Sequence, residues 1–545
     1  MGEKAKYLLI TIVSIAAFFV NNAVIVPDIM ESRNIITARE MVYDGHWIVT
    51  TMNGDLRLEK PPLPTWFAAV AEIISPDDIA AQRAVAGIGA LLLVLFFCRF
   101  SERILKMDCL LPAMLLCTCY NVILMGRTAT WDIWCHAFMM GGIYYLCRGL
   151  MKEECSWHDF ILTGVMTGLS IMSKGPVSLY ALLLPLIISF AYIYRPSVRG
   201  KGKALAAAAV IALVVGGWWY AYIYAFHSDD MARVAAKESG SWFNHNTRPW
   251  WYYWKFFLES GVWSLLLLTS VFMPLIRCRS VYNRSREYLL PLMWMLVMLV
   301  LLSLLPEKKP RYLLPILIPA AYTMAALVTG WRGAFRERIA SVAEKCLFRV
   351  NASLIAVAVI ALPVAAYIFL YKAGFLPMWM FVTLTFVCLV VVAWLFGATL
   401  RLRPQCMVRA VTLLFFFAEC AVMPFLNGVI NNPDRNSISA TKEMEELKDL
   451  AFYRNAEVPM RIEMVYATGK KIRPLNFNEA DSVMAKLPCV VITRDRVGEE
   501  MDGELLERID TTYIGAFDDN PRPKGNRRYE RDFIYNVTIL KHKTK

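Results

Sequence analysis

The chain has 545 residues, of which 57% are hydrophobic, 13% aromatic and only 19% charged. Its mean hydropathy is +0.44, which excludes most soluble classes. The formal charge is +13, yet residues 433–545 carry 20 basic and 20 acidic side chains, so the whole excess lies in residues 1–432. Bases scattered between apolar runs fit membrane topology and give no reason to invoke nucleic acid. All 13 cysteines except Cys489 lie in or beside those runs, so no disulfide framework follows.

A bilayer core takes about 20 apolar residues per helix. Thirteen runs are predicted as membrane helices: 7–26, 81–100, 109–125, 129–150, 160–173, 176–194, 204–226, 256–276, 288–305, 312–331, 351–371, 376–399 and 406–426. The first lacks the small-residue cleavage site of a signal peptide. The weakest is 160–173, short and interrupted by Gly164 and Gly168. Lys4 and Lys6 precede the first run and place the N-terminus in the cytoplasm. Alternate loops then carry Arg99/Arg103/Lys106, Arg148/Lys152, Arg195/Arg199/Lys201/Lys203, Arg277/Arg279/Arg284/Arg286, Arg332/Arg336/Arg338 and Arg401/Arg403/Arg409. The two long loops of the opposite side are 27–80 and 227–255.

At Asn431 the composition changes. NNPDRNS is a loop signal, Ser437–Asn455 is predicted as an amphipathic helix, and 488–494, 511–517 and 532–540 as strands. The expected architecture is thus a polytopic α-helical membrane domain, 1–430, followed by a small soluble α/β domain, 431–545, on the outer face. No internal repeat or low-complexity stretch is visible.

Loop 27–80 is chemically dense. Glu31 to Tyr43 has helical apolar spacing and is expected to lie along the membrane interface, with Glu31 and Arg33 at its start. In LEKPP the two prolines fix the backbone beside Glu59 and Lys60; a solvated amphipathic loop is the plain alternative. Asp132 sits in ATWD about one turn into a span, Lys174 in SKGPV, and Lys308, Lys309, Arg311 and Tyr312 in PEKKPRY. Charges inside spans cost about 2.5–3.5 kcal/mol each on insertion scales, so they tend to face cavities or partners, although any one alone could snorkel from a helix end. The topology puts all of them on the outer side, against the trend of the basic loops. Cations with a tyrosine donor at the lipid boundary suit a phosphate, and a phosphate at that height suits a lipid head group; nearby carboxylates would then do acid/base or metal work. Loop 227–255 adds the aromatics of 242–254, an interfacial belt or a platform for a sugar ring, and His245, a candidate metal ligand.

Taken together, ESRNIITAREMVYDGHWIVTTMNG (31–54), LEKPPLPTW (58–66), ATWD, MSKG (172–175), RPWWYYW (248–254) and KPRYLLPILIP (309–319) resemble the GT-C fold glycosyltransferases that use polyprenyl-phosphate sugars. The similarity is greatest to the bacterial aminoarabinose (lipid A) transferases and more distant to the protein O-mannosyltransferases. It implies an inner-membrane enzyme with a periplasmic site and C-terminal domain, which moves a sugar from undecaprenyl phosphate to an envelope acceptor by inverting displacement. Arg33, Lys60, Lys174, Lys308, Arg311 and Tyr312 would then bind the donor phosphate and its developing charge. Glu59 and His245 would match the family's divalent-metal pair (zinc, magnesium or manganese). The family's Asp-Glu pair falls on Met30-Glu31, so its aspartate is missing. Asp28 or Glu31 would stand in, or Asp132 would act alone. A phosphate acceptor such as lipid A needs no strong base, whereas a hydroxyl acceptor does.

A transporter or flippase for a lipid-linked sugar is the competing class. Repeated halves and broken midplane helices mark many transporters, and neither is seen here. A non-catalytic assembly factor would have no need of the Glu59-Lys60-Pro61-Pro62 sequence.

Overall fold

The computed structural model describes residues 2–244, 246–275 and 285–543. His245 and the loop bases Arg277, Arg279 and Arg284 lie outside the described residues. In chain order the helices are α1 (Glu3–Phe18), α2 (Ile29–Asp44), α3 (Leu63–Ile74), α4 (Ile79–Arg103), α5 (Leu110–Cys117), α6 (Tyr120–Gly126), α7 (Asp132–Met151), α8 (Trp157–Lys174), α9 (Leu184–Tyr194) and α10 (Gly202–Phe226). There follow α11 (Ser228–Asn244), α12 (Ser264–Phe272), α13 (Arg286–Leu304), α14 (Leu317–Arg336), α15 (Val342–Ala366), α16 (Met378–Leu400), α17 (Pro404–Phe417), α18 (Asn427–Ile430), α19 (Ile462–Thr468) and the short α20 (Ala480–Met484), α21 (Val497–Glu500) and α22 (Gly503–Glu507). Helix underlies each of the thirteen apolar runs. Among the described residues, seven helical stretches are long and apolar enough to cross a bilayer unaided. Others are shorter or broken, as where Thr118 and Cys119 separate α5 from α6. The chain is a multi-pass membrane protein.

Its packing divides into two units. The first comprises Met1–Val24, Leu58–Pro64 and Arg83–Phe425; the second comprises Ile25–Arg57, Thr65–Gln82 and Leu426–Lys545.

In the first unit, α8 is an unbroken helix despite its two glycines. Those glycines let α10 approach: a Cβ on Gly164 would meet the Ala208 carbonyl at 2.6 Å, and one on Gly168 would meet Val215 Cβ at 2.6 Å. From the other side, a Cβ on Gly216 would meet Ile171 Cβ at 2.7 Å. Small residues bring membrane helices close enough for backbone-to-backbone packing, the main attraction left where lipid is as apolar as the protein. Polar groups in this interior are satisfied. The ring of Tyr322 stacks on Phe97 at 4.0 Å and its hydroxyl donates to the Phe97 carbonyl at 2.6 Å. Arg127 donates to the last carbonyls of α1 and pairs with Glu419 at 2.7 Å, placing a cation at the negative end of a helix. Loop 227–255 is not all loop: α11 occupies its first half, and a 3₁₀ stretch, Trp250–Trp263, its end.

The second unit is built on a five-stranded sheet of β3 (Ala451–Asn455), β4 (Ile472–Leu475), β5 (Cys489–Thr493), β6 (Ile509–Asp518) and β7 (Ile534–His542), with β1 (Thr51–Met52) and β2 (Asp55–Leu56) forming a separate hairpin. The order is β4-β3-β5-β7-β6; β3 runs parallel to β4 and β5, while β7 runs antiparallel to β5 and β6. Central β5, CVVIT, is buried throughout, as a strand covered on both faces must be.

Two expectations are corrected here. Ser437–Asn455 is not one helix: it makes 3₁₀ turns at Ile438–Glu443 and Glu445–Leu447, separated by extended Met444, and then becomes β3. Strand pairing on both sides of AFYRN outweighs the helical periodicity before it. Nor does the apolar face of α2 lie on the membrane surface. Ile36 joins the core formed by Phe452, Met464 and Val465, while Ala38 and Met41 pack on Ala68 and Ala69 of α3.

Candidate active site

The site residues expected from the sequence divide between the units: Asp28, Glu31 and Arg33 in the second, and Glu59, Lys60, Asp132, Lys174, Lys308, Arg311 and Tyr312 in the first.

At the start of α2 the sequence DIME forms a capping box. The Asp28 carboxylate accepts from the Met30 and Glu31 amides at 2.8 and 2.9 Å, and Glu31 reaches back to the Asp28 amide at 3.4 Å. Two carboxylates three residues apart thereby satisfy helix-end donors and meet the positive end of the dipole. The half-buried Arg33 keeps a buried Nε without a hydrogen-bond partner.

In the first unit the remaining candidates converge. Asp132 is the first residue of α7, not one turn into it, and is 2% exposed. Its carboxylate pairs with Lys174, the last residue of α8. After Lys174 the chain turns at Gly175 (φ +80°, ψ −164°), a conformation essentially reserved for glycine; a Cβ there would also meet Tyr220 Oη at 2.9 Å. The Lys174 ammonium lies 5.4 Å over the Tyr312 ring, and Lys309 lies 5.8 Å from it. Arg311 is close enough to act on the charge of Asp132. Among the described residues Arg311 makes no ion pair.

The segment carrying these groups is stitched to 246–253. Thr247 and Glu307 form an antiparallel bridge, Lys308 N donates to the Asn246 carbonyl at 3.1 Å, and Arg248 N donates to the Pro306 carbonyl at 3.3 Å. Buried Tyr253 accepts from the Lys309 amide at 2.9 Å and donates to the Lys309 carbonyl at 3.2 Å. Thus RPWWYYW and KPRYLLP, nearly 60 residues apart, form one turn system. Its aromatic face is divided: Trp250, Trp251 and Trp254 are exposed, whereas Tyr253 is core.

Glu59 and Lys60 meet α11 crosswise. Lys237 pairs with Glu59 at 3.4 Å, and Lys60 approaches Glu238 at 3.7 Å. The second oxygen of Glu59 is buried without a hydrogen-bond partner. Burial pushes the Lys60 ammonium below the usual lysine range; Glu238 opposes that, while the Lys174 and Lys309 charges reinforce it. That mutual influence places Lys60, Lys174 and Lys309 in one electrostatic neighbourhood. Lys308 differs, for its ammonium folds back onto the Leu305 carbonyl and burial lowers its pKa.

Four contributors were not singled out from sequence: Lys237, Glu238, Glu307 and Tyr253. Lys237-Glu238 reverses the order of Glu59-Lys60, a weak signal of crosswise pairing. Glu307 stands beside the lysines it neutralises, pairing with Lys309 at 2.5 Å and accepting from Tyr312 at 3.4 Å. A group of three metal-ligating side chains does gather in the second unit, Glu40, Asp44 and His46, within 4.8 Å. Each is already engaged: Glu40 by Thr51 Oγ1 at 2.5 Å, His46 by the same hydroxyl at 2.8 Å, Asp44 by Lys471 at 2.5 Å.

Fold and site together define a multi-pass membrane protein whose first unit gathers Lys60, Lys174, Lys309, Arg311, Tyr312 and Asp132 at helix ends and the loops beside them. Residues 59–220 match the family described as dolichyl-phosphate-mannose-protein mannosyltransferase. Along 338 residues the chain is 26% identical to an uncharacterised Aquifex aeolicus protein, covering 59% of this chain and 63% of that one. It is 25% identical over 356 residues to an undecaprenyl phosphate-alpha-4-amino-4-deoxy-L-arabinose arabinosyl transferase of Pseudomonas fluorescens, covering 60% of each. These matches span about 60% of either relative's length. The crystal structure of ArnT from Cupriavidus metallidurans bound to undecaprenyl phosphate superposes with a TM-score of 0.65 at 14% identity, over 99% of this chain and 98% of that one. The chain therefore has the GT-C fold and is similar to the aminoarabinose transferases, as its motifs implied.

Proposed function

We propose that the chain is an integral-membrane glycosyltransferase that takes a sugar from a polyprenyl phosphate, undecaprenyl phosphate in bacteria, and delivers it to an envelope glycolipid such as lipid A. It would sit in the inner membrane, with the pocket and the C-terminal segment on the periplasmic side. The observation that carries this reading is the gathering of Lys60, Lys174, Lys309 and Arg311 around Tyr312 and Asp132 in the first unit.

A sugar phosphodiester carries one negative charge; transfer leaves a phosphomonoester of about −1.5 to −2 at neutral pH. A rate-enhancing site must meet that added charge where it develops. Arg311, whose planar guanidinium presents paired donors, would grip the phosphate. Lys60 and Lys174 would add point charges, and the Tyr312 hydroxyl, which donates to Glu307 at 3.4 Å, would turn to the phosphate. Asp132 holds Lys174 in place and keeps its charge from being a lone buried one. For an acceptor phosphate no strong base is needed; for a hydroxyl, Asp132, Glu31 or Asp28 would have to supply one. The orphaned oxygen of Glu59 would suit a divalent cation, which would supply Lewis-acid neutralisation when bound; His245, the second ligand that the resemblance implies, lies outside the described residues. Exposed Trp250, Trp251 and Trp254 would offer faces to a sugar ring.

Mass spectrometry of envelope lipids and glycoproteins from cells with and without the gene tests this reading. Loss of one sugar mass from a glycolipid, reproduced by Arg311→Ala at normal protein level, is expected; loss from a protein instead would move the acceptor to the mannosyltransferase-like alternative. Unchanged sugar transfer with Arg311→Ala and Lys60→Ala would overturn the phosphate assignment.

A further inference from the structure

We propose that the second unit carries its own saccharide-binding pocket, distinct in composition from the cation cluster of the first. A cavity of about 480 Å³ opens there between the C-terminal half of α2, the turn at 75–78 and the end of α19. Small-molecule sites fall at roughly 300–1,000 Å³. Its walls are ionic, yet its charges cancel. Arg39 binds Glu72 at 3.5 Å and also pairs with Asp77, and Lys442 reaches Asp77 at 2.6 Å. Opposite them, Lys471 pairs with Asp44 at 2.5 Å. Asp77 is held at φ +58°, which aims its carboxylate between Arg39 and Lys442; aspartate is among the few residues that tolerate that conformation.

The occupant follows from this balance. A phosphate or other anion would have to displace a carboxylate already in place, so the pocket offers it no net attraction. Neighbouring hydroxyls of a sugar both donate and accept; Arg39, Glu72 and Asp77 are saturated by their own contacts, whereas the Lys442 and Lys471 ammoniums and the second oxygen of Asp44 keep capacity beyond their ion pairs. Tyr43, 64% exposed at the pocket edge, offers a ring face for stacking. A neutral or amino saccharide fits these features. On the glycosyltransferase reading, this would be the sugar backbone of the acceptor.

The test is saturation-transfer NMR on the full-length chain in detergent, with lactose, chitobiose and N,N′-diacetylchitobiose as probes and inorganic phosphate as competitor. Saturable binding of at least one disaccharide is expected, weakened by about tenfold or more in Tyr43→Ala and in Lys471→Ala and untouched by phosphate. Both side chains lie at the surface, and unchanged thermal midpoints would show that the fold persists. In a transfer assay the same variants should raise the acceptor KM and leave the donor KM alone. If no probe saturates, if phosphate displaces the sugar, or if both variants bind normally, the pocket is only an ionic seam. Binding does not depend on turnover. Intact saccharide binding without transfer would therefore count against the enzyme reading, and transfer without saccharide binding against this one.

Discussion

Removing one member of the Asp132–Lys174 pair is the sharpest perturbation available. Asp132 is 2% exposed and the Lys174 side chain 8% exposed, so either single change leaves a unit charge in the protein interior. Breaking a buried pair in this way costs about 3–5 kcal/mol, whereas replacing both members with apolar residues is often neutral or even stabilising. Asp132→Leu and Lys174→Met should therefore each lower stability by about 3–5 kcal/mol, and the double variant should recover most of that loss. The implied coupling exceeds that of an ordinary contact pair, about 0.5–3 kcal/mol. Thermal or denaturant unfolding in a fixed detergent reads the stability arm of the cycle; transfer from a polyprenyl-phosphate sugar reads the other. The double variant should be folded yet inactive, because the restored stability brings back neither the cation over Tyr312 nor the carboxylate beside Arg311. Additive destabilisation would refute the buried-pair argument, and an active double variant would refute the place of the pair in the site.

Four further outcomes follow from single contacts. Lys60 acts on phosphate only when protonated, and its pKa is lowered by burial; activity should thus fall as pH rises through a value below that of free lysine. A pH–rate profile should move its alkaline limb upward in Lys60→Arg, since guanidinium stays charged. Asp28→Asn should keep helix capping and stability, while Asp28→Ala should lose about 1 kcal/mol; if Asn also keeps transfer, the carboxylate is structural. Tyr253→Phe strips the Lys309 amide and carbonyl of their shared partner and should cost about 1–3 kcal/mol, read by thermal shift, with a raised donor KM. Gly175→Ala should cost a further about 1–3 kcal/mol by strain alone and lower turnover by moving Lys174, while leaving the lysine itself intact.

Much of this was legible because membranes simplify the code. Thirteen apolar runs became helix because a chain in lipid can satisfy its backbone only within a helix or a closed barrel. The charged residues at the ends of apolar runs were legible as outliers, since burying charge without purpose is costly. What escaped depended on contacts remote in sequence. Nothing in AFYRN announces a strand until β4 and β5 pair with it. The helix of α11 was hidden because HSDDMARVAAKESG is polar on most faces and read as loop. Glycines at 164 and 168 weakened a helix on propensity grounds, although their value lies in the approach of α10. The capping box of Asp28 and Glu31 has a local signature, an N-cap acid three residues before a glutamate, but the same two acids also suit acid/base chemistry.

The arrangement of charge also decides which residue matters most for the donor. Lys174, Lys60, Lys309 and Lys237 each face a carboxylate: Asp132, Glu238, Glu307 and Glu59. Four paired lysines contribute little net field, which explains how so many cations can sit together at the ends of membrane helices. Arg311, with no ion pair among the described residues, supplies excess positive charge, and Lys308, whose ammonium is held by the neutral Leu305 carbonyl, adds to it. The pairs then become a reserve: when the leaving phosphate gains charge, a lysine can shift from its carboxylate toward the new oxygen, so stabilisation grows during the reaction and not before it. On this argument Arg311→Lys should be far from conservative, raising the donor KM, whereas Lys60→Ala should mainly lower kcat. The reverse split in steady-state kinetics would mean that the lysines grip the donor at rest and that their carboxylates are displaced on binding.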